Sequence, residues 1–126
     1  MRQLAAILAL TLSPLLANGM PLRAMSHAKA ENVVKVGKRL ADHEWYVARY
    51  YWDRGKPMGT VLRLRRLLER YRGVGYDVEA LWLLGRAYTA VDMPDRAKLA
   101  WNELVTKYPQ SNRAGDARSA LATLHR

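Results

Sequence analysis

The sequence predicts an all-α fold, an α-solenoid piece of two helical hairpins with a further helix on either side. Three observations predict it. Shifting the 126-residue chain by 37 positions superimposes Trp45 on Trp82, Arg49 on Arg86, Tyr51 on Tyr88, Pro57 on Pro94, Leu62 on Leu99, Leu67 on Leu104 and Tyr71 on Tyr108 without a gap. Self-similarity at such a period marks stacked supersecondary units. Within each copy the apolar residues recur three to four apart, as one face of a helix demands. The 8 glycines and 5 prolines stand at spaced points, where tight turns would separate helices.

The elements follow in order. From Ala28 to Asp42 the residues Val33, Val36 and Leu40 keep helical spacing and no proline intervenes, so this segment is expected to run into the first copy as one long helix. The first copy, residues 41–74, continues that helix with Val47, Ala48 and Tyr51 and turns at Arg54-Gly55-Lys56-Pro57. Its second helix carries Val61, Leu64, Leu67, Leu68 and Tyr71. Gly73-Val74-Gly75 separates the copies. In the second copy, residues 78–111, Leu81, Leu84, Tyr88 and Val91 form one face, and Asp77 is placed to cap the helix start. Pro94 and Asp95 open the next helix after Asp92-Met93. Its apolar side is Ala97, Leu99, Ala100, Trp101, Leu104 and Val105, and Tyr108-Pro109 ends it. A last helix within residues 112–125, capped by Ser111 or Asn112, would cover the open end of the second copy.

The first 19 residues read as an export signal. Arg2 gives a positive start, Leu4 to Ala17 is largely apolar, and Ala17-Asn18-Gly19 offers small residues for cleavage. The run is shorter than the ~20 apolar residues that span a bilayer. On this reading residues 20–27 are a linker and 28–126 the repeat domain. The alternative is a misassigned start, with Met20 or Met25 beginning a cytoplasmic chain.

Composition narrows the function. With no cysteine, thiolate metal sites, a Cys nucleophile and a lipid-bearing Cys are excluded. Phe is absent while 7 Tyr and 4 Trp are present, side chains that suit grooves as well as cores. A net charge of +10 predicts attraction to acidic protein, anionic lipid or nucleic acid without choosing among them. Asp42-His43-Glu44 is the one place where an imidazole meets two carboxylates, but neighbours on a helix point about 100° apart and cannot converge on one ion. Neither a phosphate-cradling Gly-rich loop nor a nucleophile elbow occurs. No enzyme, metal, cofactor or small-molecule substrate is therefore expected. Arg63, Arg65, Arg66, Arg70 and Arg72 form a basic run on one helix, expected to be a solvated outer face beside Glu69, or else a surface for an acidic partner or anionic lipid. No nucleic-acid fold motif accompanies it, which makes nucleic acid the weaker partner.

Residues 81–109 fit the tetratricopeptide pattern, with Leu81, Leu84, Gly85, Tyr88, Ala97, Trp101 and Pro109 at its seven positions. Gly85 and Ala97 are small where paired helices approach, and Tyr88 and Trp101 are large enough to fill between them. The first copy keeps only Tyr51 of that pattern, and Glu44 and Arg72 at its two ends predict looser packing there. The run from Arg39 to Tyr51 followed by Arg54-Gly55, with Leu67 to Tyr71 and Glu79 to Tyr88, resembles the C-terminal half of the BamD family, the lipoprotein of the machinery that folds β-barrels into the bacterial outer membrane. The resemblance spans residues 28–120. The family has a lipid-bearing Cys and about five repeats, against no Cys and two repeats here, which fits a truncated member, a fragment or a diverged stand-alone relative.

The resemblance implies a protein-binding scaffold at the periplasmic face of the outer membrane, with the assembly machinery and unfolded outer-membrane proteins as partners. A cytoplasmic adaptor is the alternative. It also implies that the second, fifth, ninth and twelfth positions of each first helix line a concave groove. Those are Asp42, Trp45, Arg49 and Trp52, then Glu79, Trp82, Arg86 and Thr89. Trp and Arg, types that dominate binding hot spots, recur there at Trp45, Arg49, Trp82 and Arg86. The competing reading packs Trp45 and Trp82 against neighbouring helices.

Overall fold

The computed structural model describes residues 22–125, which form five α-helices, with no strand among them: α1 Leu22–Asp53, α2 Pro57–Arg70, α3 Asp77–Ala90, α4 Pro94–Lys107 and α5 Ala114–Leu124. The export segment read over residues 1–19 lies outside the described residues. Two units divide the chain within α1, Met1–Val36 and Gly37–Arg126. In the first, the described residues are helical from Leu22, inside the stretch expected to be a linker over 20–27. The reason is composition: from Leu22 to Val36 there is neither Gly nor Pro, and Leu, Arg, Ala, Met and Lys are strong helix formers. Val33 and Val36, expected on an apolar face, are exposed.

The second unit contains both repeats, and the 37-residue period governs its turns as well as its sequence. At the end of α1, Gly55 takes a left-handed φ of 66°, with Gly55 N–H donating to the Trp52 carbonyl at 3.0 Å and Lys56 N–H to Tyr51 at 2.9 Å. At the end of α3, Asp92 takes φ 58°, its N–H donating to Thr89 at 3.1 Å and that of Met93 to Tyr88 at 2.9 Å. Both are Schellman motifs. In each, proline follows at the first helical position, Pro57 and Pro94, where its missing N–H is not needed.

Two helix starts differ from expectation. Asp77 does not cap α3: it is the helix's first residue, and its carboxylate accepts from Gly73 N–H at 3.1 Å and from the Tyr108 hydroxyl at 2.7 Å. The side chain thereby ties the inter-repeat loop to the end of α4. Ser111 does not cap α5 either. Its hydroxyl donates back to the Tyr108 carbonyl at 2.8 Å, leaving Arg113 at the cap position without a side-chain cap bond.

The core runs through all four hairpin helices and into α5, with Leu64, Leu67, Leu81, Leu104 and Trp101 buried between them. Gly85 works as the pattern required, since the Trp101 indole fills the space a Cβ would take. Thr60 stands where the second copy has Ala97, and its buried hydroxyl donates to the Ala48 carbonyl at 3.2 Å, pinning α2 to α1. The first copy is not loose at its odd positions. Glu44 is only 7% exposed and receives Arg63 at 3.3 Å and Arg66 at 3.4 Å, while Arg72 pairs with Glu103 at 2.6 Å. Leu99, expected on the apolar side of α4, is 70% exposed, because Ala97, Ala100, Trp101 and Leu104 already fill the buried stripe.

Candidate functional site

The first helices of successive repeats, α1 and α3, and the following α5 carry one connected face. Its base is a clamp that occurs twice at the repeat spacing. In the first instance Tyr76, just before α3, donates its hydroxyl to Asp42 at 2.5 Å and stacks on Trp45 with ring centroids 5.3 Å apart. Thirty-seven residues later Arg113, just before α5, donates Nε to Glu79 at 3.0 Å and lies over Trp82 at 5.7 Å. A carboxylate and an indole from one helix thus grip a planar donor at the start of the next first helix. Tyr76 and Arg113 have different chemistry but make the same two contacts, a hydrogen bond to the carboxylate and an approach to the indole.

Arginines complete the face. Arg49 lies over the Trp45 ring at 5.9 Å, and Arg86 reaches from α3 to the Trp52 ring on α1 at 4.9 Å. Both arginines are exposed, whereas Trp45, Trp52 and Trp82 are half-buried against the core. The indoles are therefore core and surface at once: one side packs inward, Trp82 against Trp101 at 5.7 Å, and the other supports a cation. Thr89 contributes less, its hydroxyl turned back onto the Gly85 carbonyl of its own helix.

Electrostatics within the face are largely settled internally. Lys38 pairs with Asp42 at 2.7 Å, and hydrogen bonds from Lys38 and then Tyr76 hold the Asp42 carboxyl below the usual carboxylate range. The same carboxylate raises the Tyr76 phenol above its ordinary value by accepting its hydrogen bond. Arg113 pairs with both Glu79 and Asp116. Arg49 and Arg86, by contrast, form no ion pair with any described carboxylate, and the rings are their partners.

The basic run on α2 divides in two. Arg63 and Arg66 turn inward to Glu44, Arg65 makes an exposed pair with Glu69 at 3.4 Å, and Arg70 is exposed in the last turn. It is not a uniform solvated face. Asp42, His43 and Glu44 diverge as helix geometry requires, Asp42 to Tyr76, Glu44 to α2, and His43 to solvent. Sequence reasoning missed Tyr76 and Arg113 because no identity links them. The signal was present in their position, each one residue before a first helix and 37 apart.

Helical hairpins in 37-residue register, Gly85 against Trp101, and paired first helices with half-buried indoles and exposed basic side chains define a tetratricopeptide-type repeat protein. The chain belongs to the YfiO family of outer membrane lipoproteins, whose family model matches residues 16–100. It is 33% identical over 79 residues to the outer membrane protein assembly factor BamD of Neisseria gonorrhoeae, covering 63% of this chain and 30% of that protein. To BamD of Rickettsia prowazekii it is 30% identical over 76 residues, 60% of this chain and 30% of the relative. The chain thus spans about a third of the length of these relatives. No solved structure matches it significantly.

Proposed function

We propose that this protein is a non-catalytic scaffold in outer-membrane β-barrel assembly, acting at the periplasmic face of the outer membrane. It holds protein partners on the face built by Trp45, Arg49, Trp52, Trp82 and Arg86. The partners are components of the assembly machinery and unfolded outer-membrane proteins, by analogy with relatives named as outer membrane protein assembly factors. One observation carries the binding role: the same Trp and Arg recur at equivalent positions of two repeats, and Arg86 of the second repeat reaches the Trp52 ring of the first. Rigid aromatics and forked guanidinium donors bury area and fix orientation at low entropy cost. An array of hairpins supplies such a surface without any moving part.

Site-specific photo-crosslinking in intact cells tests this. A photoreactive residue at Arg49 or Arg86 is expected to trap a β-barrel assembly component or a barrel precursor in the envelope fraction, and one at Leu62 or Leu99 to trap far less. Adducts confined to the Leu62 and Leu99 positions, or to cytoplasmic proteins, overturn the proposal.

A further inference from the structure

Arg49 and Arg86 set the chemistry that the face selects. Each guanidinium lies within cation–π reach of an indole, 5.9 Å for Arg49 and 4.9 Å for Arg86, and neither is engaged by a described carboxylate, which leaves its N–H groups to fork one from a ligand. Trp52, beneath Arg86, stands one helical turn on from Arg49, so the two cations approach the same stretch of surface from neighbouring helices. The other charges on this face are already matched, Asp42 by Lys38, and Glu79 and Asp116 by Arg113. Asp53, four residues beyond Arg49, forms no ion pair with it. What remains is one unmatched carboxylate, Asp53, against two unmatched guanidiniums beside half-buried rings.

We infer that this face, resting on the binding role proposed above, selects an extended peptide segment that carries carboxylates next to apolar or aromatic side chains. Arg49 and Arg86 receive the carboxylates, and the apolar groups rest on the parts of the half-buried Trp45, Trp52 and Trp82 side chains that stay accessible beside the cations. A polyphosphate fits less well. Its charges repeat along the whole backbone and would also lie against the Asp42 and Glu79 carboxylates, whereas a peptide can place its carboxylates only where the two guanidiniums stand.

Fluorescence anisotropy with the full chain separates the outcomes. The probe is a labelled, end-blocked decapeptide alternating Glu with Leu and Tyr, compared with its Gln and Lys analogues, a duplex oligonucleotide and phosphatidylglycerol vesicles. The acidic peptide is expected to bind about tenfold tighter than the Gln peptide and to lose about that factor in Arg49→Gln or Arg86→Gln. Circular dichroism of those variants should be unchanged, and Arg65→Gln and Arg70→Gln should bind as the parent does. Equal binding of Glu and Gln peptides overturns the carboxylate selection while leaving a peptide groove standing. Tighter capture of the oligonucleotide or the vesicles overturns it in favour of a general polyanion surface. Loss of acidic-peptide binding through Arg65 and Arg70 but not Arg49 and Arg86 overturns both this inference and the groove itself.

Discussion

Glu44 occupies a position where the tetratricopeptide pattern has a large apolar residue, and α2 answers it with Arg63 and Arg66. Its side chain is shielded while those of the arginines are partly in water, so the two directions of change differ. Arg63→Ala with Arg66→Ala leaves a buried carboxylate uncompensated and should cost about 1–3 kcal/mol, discounted for the exposure of the guanidiniums. Glu44→Leu removes the charge and fills the space, and should be neutral or stabilising. Urea midpoints check both, and equal losses would show that Glu44 is needed for its charge rather than tolerated. Glycine gives a second contrast. Gly85→Ala drives a methyl into the Trp101 indole and should destabilise by about 1–3 kcal/mol, whereas Gly37→Ala meets open space within a helix and should stabilise by about 0.5–1 kcal/mol. A Gly85→Ala protein as stable as the parent would mean that the hairpin does not close as described.

Equivalent residues on successive first helices meet different surroundings. On α3, Asp77, Ala80, Leu83 and Ala87 are buried, and α3 packs on the preceding α2; on α5, Ala114 and Ala117 are buried and α5 packs on α4. The same register on α1 is Leu40, His43, Tyr46 and Tyr50, and all four are exposed. Tyr46 and Leu83 are therefore the same position with opposite energetics, 69% exposed against 6%. Leu83→Ala should cost about 2–5 kcal/mol, and Tyr46→Ala should stay within about 0.5 kcal/mol of the parent, as thermal denaturation would report. The turns give a further prediction at this scale. Asp92 holds the left-handed position that Gly55 holds in the first copy, so Asp92→Gly should stabilise by roughly 0.5–1 kcal/mol through the relieved Cβ. A loss would show that the Asp92 side chain contributes something the backbone geometry does not. The period made the hairpins and their turns legible, because turn residues act locally. Which copy of an equivalent position is buried was not legible, since that depends on whether a helix lies beside it.

For the molecule as a whole, the inter-helix hydrogen bonds link stability to pH at both ends. Asp42 is held low by Lys38 and Tyr76; burial alone would raise Glu103, but hydrogen bonds from Lys107 and Arg72 outweigh it and hold it low. Groups with a depressed folded pKa stabilise above their unfolded value and lose that contribution as pH falls, so stability should decline below about pH 4. Tyr76 and Tyr108 are raised by their bonds to Asp42 and Asp77, and Lys38 is raised by Asp42. Raised groups stabilise below their unfolded value and lose that as pH rises through the folded one, so a second decline should begin above about pH 10. Thermal midpoints across pH should form a plateau with two shoulders, the alkaline one smaller in Tyr108→Phe; a midpoint rising on acidification below pH 4 would contradict the pairing. The all-helical class, the two hairpins and the turn positions were fixed by residue type and spacing, because helix periodicity, proline placement and glycine turns are local and survive a one-dimensional reading; the Trp and Arg positions of the candidate face came from the tetratricopeptide resemblance. Tertiary structure alone decided that Asp77 locks a loop to α4 instead of capping α3, that Arg63 and Arg66 belong to Glu44, and that Tyr76 and Arg113 play one part in two chemistries. Each depends on side chains 19 to 34 residues apart meeting across elements, and charge and hydrogen-bond partners are chosen by that proximity rather than by sequence order.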